Sequence, residues 1–190
     1  AYVEYIENTS ESYIDTGLYA NYNWKYEIVI QDNAHTSYEN YFGTNSTNVR
    51  LLRNQADGTL LFGYGSESTH NYAITGKKVT IYVDRNKLYI DDELIATATE
   101  NASTTSFDKT LLLFQARYQN SLDKYGVFKC YSFKAWNEDD TLVLDLRPCL
   151  DTENIACMYD EVSKRYLYNQ GTGTFTHGNR INAGSKLVKE

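Results

Sequence analysis

From Trp24 the chain reads Trp-Lys-Tyr-Glu-Ile-Val-Ile, with Trp24, Tyr26, Ile28 and Ile30 on one side and Lys25, Glu27 and Val29 on the other. A period of two carried by aromatic and β-branched residues is the pattern of a half-buried strand. The same alternation recurs along most of the sequence. It predicts strands over residues 2–7, 13–15, 24–30, 38–43, 48–53, 59–64, 77–83, 88–90 and 93–97, with a weaker one over 70–75. Residues 110–114, with unbroken leucines, predict a strand buried on both faces. Over 127–136, Val127, Tyr131, Phe133 and Ala135 fall on one face, interrupted by Lys129. Phe128, Cys130, Ser132, Lys134 and Trp136 fall on the other. Leu142, Leu144 and Leu146 alternate with Val143, Asp145 and Arg147, and Pro148 ends or edges that strand because it has no N–H for a ladder. Residues 156–159 and 165–169 form a hairpin about a turn at 160–164.

Turn signals punctuate these runs: Asp57-Gly58, Asp84-Arg-Asn86, Asp91-Asp92, Asn137 to Asp140 and Gly171-Thr-Gly173. Residues 31–37, 100–108 and 115–123 read as polar loops. No segment holds a 3.6-residue apolar period over three turns. Many short strands at regular spacing define an all-β, antiparallel β-sandwich. With no internal repeat or inner boundary, residues 1–178 read as one domain and 179–190 as a polar C-terminal tail or linker.

Composition sharpens this picture at a few points. Eighteen tyrosines and seven phenylalanines favour strands and supply a core, and a single proline argues against linker sequence. The formal net charge of −7 repels phosphate backbones, which excludes nucleic acid as a natural partner. No apolar run approaches the roughly 20 residues of a membrane-spanning helix. Cys130, Cys149 and Cys157 are an odd set without a C-x-x-C pair; Cys149 and Cys157 would bridge if their strands meet, and otherwise all three are buried thiols. The chain opens on strand-like sequence at Ala1-Tyr2 without a signal peptide, which reads as a module excised from a larger protein.

Catalytic patterns are sparse. Glycoside hydrolysis needs two carboxylates facing one cleft roughly 5–10 Å apart. Glu4 and Glu7 have the wrong parity for one strand face, and Asp91-Asp92-Glu93 and Glu138-Asp139-Asp140 read as turns. His35, His70 and His177 show no spacing that suggests a triad or a zinc set. Asp57, Asp91, Asp92, Asp139, Asp140, Asp151 and Glu153 read most simply as solvated turn acids.

Aromatic residues on polar loops carry the functional signal. Sugars stack their apolar C–H face on Trp or Tyr, and neighbouring Asn, Gln, Asp or Arg bond the hydroxyls. Three stretches offer this mix, and Trp24, Tyr64, His70, Tyr72, Arg117, Tyr118 and Asn120 are the candidate ligand-binding residues within them. A chain so rich in tyrosine also places some on loops by chance.

Several segments resemble a known family. Tyr131-Ser-Phe133-Lys-Ala-Trp136, Thr141-Leu-Val143, Arg147-Pro148, Ala156-Cys-Met-Tyr159-Asp160 and Tyr168-Asn-Gln-Gly171-Thr-Gly173-Thr-Phe175 are similar to the C-terminal half of laminin-G-like, concanavalin A-like modules. Such modules occur in surface proteins of Gram-positive gut bacteria and in phage tail proteins. Glu4-Tyr-Ile-Glu-Asn-Thr-Ser10, followed by Tyr13-Ile-Asp-Thr-Gly17, resembles the same family's N-terminal signature, and residues 78–95 resemble its hairpin pair. The resemblance implies a jelly-roll β-sandwich that is non-catalytic and often binds glycan; it transfers no binding residue. It also implies calcium held in a loop as a possible cofactor, with the turn acids Asp57, Asp91, Asp92, Asp139, Asp140, Asp151 and Glu153 as candidate ligands. The combined expectation is a lectin-like module, extracellular or at a cell surface within a larger protein, binding glycan through loops at one end or through the concave sheet. The alternative is a structural or protein-binding module of an adhesin or phage tail, with a protein partner and no sugar site.

Overall fold

The computed structural model describes residues 1–33, 38–54 and 58–181. His35, Asp57 and most of the 179–190 tail lie outside the described residues. Among the described residues every regular element is a strand, and the pairing between strands is antiparallel. The protein is an all-β sandwich of two large sheets. One runs in the order Glu93–Thr97, Lys87–Ile90, Lys78–Asp84, Lys25–Gln31, Lys129–Trp136, Leu142–Leu150, Ala156–Asp160, Arg165–Leu167, with Ile6–Glu7 and Thr176–His177 attached at its side. The other runs Ile14–Asp15, Leu112–Leu113, Glu39–Gly43, Val49–Asn54, Thr59–Tyr64, Ser66–His70. A two-stranded hairpin, Arg117–Tyr118 with Ser121–Leu122, stands apart.

The period of two places the core. In Lys25–Gln31, Tyr26, Ile28 and Ile30 are buried, and Ile28 pairs with Ile81 on one side and Phe133 on the other. The facing sheet contributes Phe42, Leu51, Leu60 and Phe62. Rings join the two layers: Tyr26 and Phe42 lie 5.2 Å apart, Phe42 and Phe133 5.1 Å, and Phe114 stacks on Phe128 at 4.5 Å. Burying one such side chain contributes about 1.5–3 kcal/mol.

The structure departs from the expected pattern in several places. The ladder between Lys129–Trp136 and Lys25–Gln31 shifts register between Cys130 and Ser132. That β-bulge adds one residue and reverses the parity, so Phe128 and Cys130 are buried before it and Phe133 and Ala135 after it. Tyr131 consequently turns outward, where the Lys78 ammonium sits 3.9 Å from its ring centre. Pro148 lies inside the strand Leu142–Leu150 rather than at its end. Its carbonyl accepts from Val3 N on the side where only isolated bridges form, so no ladder N–H is missed there. The weak strand expected over 70–75 lies earlier, at Ser66–His70, because Gly65 (φ 78°) makes a tight turn directly after Tyr64. The loop expected over 115–123 contains the small hairpin. Residues 179–181, read as the start of the tail, bond back to Tyr2 and Glu4.

Within the six-stranded sheet, Val49 and Leu51 point to the core, so Arg50 and Leu52 point to the outer face. Cross-strand pairing extends that face into two rows. One row is Gly43, Arg50, Gly63 and Glu67; the other is Asn40, Leu52, Leu61 and Thr69. Residues 115–124 cover part of it: Asn40 N donates to Lys124 O at 3.3 Å, and Asp123 N donates to Ala116 O at 3.1 Å. No helix of the described residues is long and apolar enough to cross a membrane.

Candidate functional site

Arg50 is the centre of the outer face and is only 3% exposed. It fits because its neighbours in the row are glycines. A Cβ on Gly43 would run into Arg50 Cβ and Cα, and one on Gly63 would stand 3.1 Å from Arg50 Cγ. With both sides open, the side chain lies flat along the sheet. Its Nε donates to Glu67 Oε1 at 2.5 Å, and its Nη2 is also 2.5 Å from that oxygen. Its Nη1 donates to Asp123 Oδ2 at 3.1 Å. Asn40 Nδ2 donates to the same Asp123 oxygen at 3.2 Å, which fixes the carboxylate over the sheet.

Tyr118 stands above the guanidinium, whose Cζ is 5.4 Å from the ring centre. Cation–π attraction at this range holds the ring upright while leaving it 49% exposed. The hairpin that carries it turns through Gln119 (φ 48°) and Asn120 (φ 71°), the left-handed pair of a two-residue turn. Asn45 clasps that turn. Its Nδ2 donates to Asn120 Oδ1 at 2.9 Å, and its Oδ1 accepts from Asn120 N at 3.1 Å. Gln119 N adds a bond to Ser46 Oγ at 3.0 Å. Arg117 anchors the base of the hairpin through Thr44 O at 3.2 Å and Thr110 O at 2.7 Å.

Arg50, Glu67, Tyr118 and Asp123 line a groove of about 340 Å³ together with Tyr38, Leu52, Leu61 and Lys124. Leu52 and Leu61 form an apolar floor. Tyr118 is one aromatic wall, and Tyr38, 46% exposed, is the second aromatic lining residue. Arg50, Glu67, Asp123 and Lys124 supply donors and acceptors. A volume near the lower end of small-molecule sites, about 300–1,000 Å³, suits a compact ligand.

Of the seven sequence-derived candidates, only Tyr118 lines this groove. Arg117 and Asn120 build its hairpin. Trp24 and Tyr64 are corrections: both are in the core and offer no ring face to a ligand. Trp24 Nε1 donates to Glu138 Oε2 at 3.0 Å, so the indole has a buried body and a satisfied tip. Tyr64 packs edge-on against Tyr22 at 5.0 Å and donates its hydroxyl to Tyr22 O. His70 bonds Ser68 Oγ at 2.7 Å on the edge strand, and Tyr72 reaches Glu93 at 3.3 Å; neither touches the groove. The residues not anticipated were Tyr38, Arg50, Leu52, Leu61, Glu67, Asp123 and Lys124. The one available signal was Arg50 beside Leu51-Leu52 in its own strand, with glycines at the opposing positions of both neighbouring strands.

Three of the turn acids proposed for calcium are otherwise engaged. Asp91 Oδ1 accepts from Thr80 N at 2.8 Å, Asp140 pairs with Lys25 at 2.6 Å, and Asp151 accepts from Glu153 N, Ile155 N and Tyr168 OH. Bonds to the Asp151 carboxylate, the one from Ile155 N foremost, hold its pKa below the usual range. Among the described residues, no group of three or more His, Cys, Asp or Glu is placed to hold a metal. Cys149 and Cys157 are register partners with Sγ atoms 3.5 Å apart, both as free thiols.

A scan against protein-family models gives no match, and no curated protein matches the chain. Among solved structures it is similar to one described as a "putative carbohydrate binding protein" from Bacteroides ovatus, with a TM-score of 0.63 and 13% sequence identity. The alignment covers 96% of this chain and 61% of that one, so the chain spans about three-fifths of its neighbour's length. At that identity the similarity establishes the shared β-sandwich fold.

Proposed function

We propose that this chain is a non-catalytic carbohydrate-binding module, of the laminin-G-like, concanavalin A-like kind that its motifs resemble, within a larger surface or secreted protein. The ligand enters the groove on the outer face of the six-stranded sheet. A pyranose ring lays its C–H face on Tyr118, and its hydroxyls meet Glu67, Asp123 and Lys124. The observation that carries this reading is a half-exposed tyrosine fixed over a buried guanidinium, above an apolar floor and between two carboxylates. A rigid aromatic platform binds without losing rotamer freedom, which favours modest-area ligands such as sugars. The description of the B. ovatus neighbour supports the same reading. The groove's carboxylates support the non-catalytic reading. Glu67 and Asp123 are tied to one guanidinium, whereas hydrolysis needs one carboxyl group free to protonate a glycosidic oxygen.

The test is a glycan-array screen of the wild-type protein and of Tyr118→Ala, with folding checked by thermal denaturation. Binding to a glycan class that Tyr118→Ala loses by about tenfold or more, at an unchanged melting temperature, supports the site. A folded wild type silent across the array overturns it and moves the chain to the structural or protein-binding alternative.

A further inference from the structure

The charges lining the groove determine what kind of sugar fits. Glu67 and Asp123 are anionic, and Arg50 and Lys124 are cationic, so the four cancel. Arg50 is not available to an incoming anion. Three of its contacts go to Glu67 and Asp123, and its body is buried beneath Tyr118. A uronate, sialic acid or sulfate would therefore bring its charge next to two carboxylates, with Lys124 as the sole uncommitted cation among the lining residues. Like charges set against each other across an interface are a device for rejecting ligands.

The guanidinium also fills a second role. Calcium sites in lectin-type folds need several oxygen ligands converging on one point, six to eight in all. Here the two carboxylates already converge on Arg50, at 2.5 Å and 3.1 Å. The guanidinium occupies the place from which a divalent cation would bridge them. Each carboxylate keeps one oxygen, Glu67 Oε2 and Asp123 Oδ1, that accepts no hydrogen bond from the described residues. Those two oxygens are acceptors for sugar O–H groups.

Building on the carbohydrate-binding reading above, we infer that the groove takes an uncharged saccharide and binds it without a divalent cation, Arg50 standing permanently where other sites place a metal. Glu67 and Asp123 accept from vicinal hydroxyls, Leu52 and Leu61 contact the C–H edge, and Tyr118 stacks on the ring.

The experiment is an array carrying neutral, uronate, sialylated and sulfated glycans, read in calcium and again in excess EDTA. Isothermal titration with the methyl glycoside of the strongest neutral terminal sugar follows. The expected result is neutral hits whose affinity changes less than twofold in EDTA, with acidic counterparts about tenfold weaker or blank. The conservative variant Glu67→Gln keeps the shape of the site and removes one charge. It raises acidic binding relative to neutral by several-fold. Preference for acidic glycans, or loss of neutral binding in EDTA, overturns this inference while leaving carbohydrate binding intact. A blank array with folded protein overturns the carbohydrate reading and this inference with it.

Discussion

Asn45 touches no part of the groove, yet the position of Tyr118 depends on it. Replacing Asn45 with alanine removes the donor to Asn120 Oδ1 at 2.9 Å and the acceptor for Asn120 N at 3.1 Å. It also removes the acceptor for Ser46 N at 3.0 Å. Each hydrogen bond contributes about 0.5–1.5 kcal/mol net. Asn45 is nearly buried, so partners left behind are only partly rehydrated. The two bonds to the hairpin together give about 2 kcal/mol, or about 4–8 °C in melting temperature for a chain of this size. Asn120→Gly is the matched control. Glycine adopts the φ of 71° without strain and keeps the backbone N–H bond to Asn45, so its cost is about 1 kcal/mol or less. Urea denaturation of the two variants gives the stability difference, and titration of a ligand identified on the array gives the affinity of each. Asn45→Ala should weaken binding several-fold, because a loosened Tyr118 must be reordered at each binding event. Equal stability of the two variants, or unchanged affinity in Asn45→Ala, would refute the clasp as the source of the platform's rigidity.

Two further outcomes follow from the buried aromatic groups. Trp24→Ala should cost about 3–5 kcal/mol by opening a core cavity, seen in the urea midpoint, whereas Trp24→Phe, measured while still folded, should leave glycan affinity unchanged; a selective loss of affinity in Trp24→Phe would restore Trp24 to the site. Burial pushes the Tyr26 and Tyr41 hydroxyls above their ordinary value of 10.0, with Asp32 beside Tyr41 adding to its shift. Both hydroxyls stay protonated in the folded protein while the unfolded chain begins to ionise near pH 10, so stability is fully present below that pH and falls above it. Urea midpoints measured from pH 8 to 11 should hold level and then decline, and Tyr41→Phe should flatten the decline.

The fold was legible because its strands are amphipathic and rich in aromatic residues. The alternation of Tyr26, Ile28 and Ile30 needs no tertiary information to be read as a core face. The bulge at Cys130 was not legible, since one inserted residue leaves no mark in composition and reverses the face of everything after it. Ser66–His70 escaped because a polar edge strand has no hydrophobic period. The site was harder for a related reason. In Glu39–Gly43 and Val49–Asn54 both faces are covered, so outward-facing Leu52 looks like core and Arg50 looks like an ordinary solvent-facing charge. What reveals Arg50 is the pair of glycines across from it, and their opposition depends on strand register. Tyr118, singled out by its polar loop, does line the groove. Trp24 and Tyr64 lie in the core instead, and the sequence does not separate the two cases because aromatic residues beside turns look alike whether they point in or out.

The polar edge strand Ser66–His70 has a consequence for how this chain tolerates crowding. It closes the six-stranded sheet with Ser, Glu, Ser, Thr and His, none of which offers an apolar face to a neighbouring copy. Unpaired backbone groups at a sheet edge otherwise invite strand addition, and polar and charged side chains are the usual defence. Glu67 belongs to both arrangements: its carboxylate holds Arg50 in the groove, and its charge guards the rim beside it. Copies of the chain at high concentration are thereby kept side by side with their grooves open and their sheets unfused.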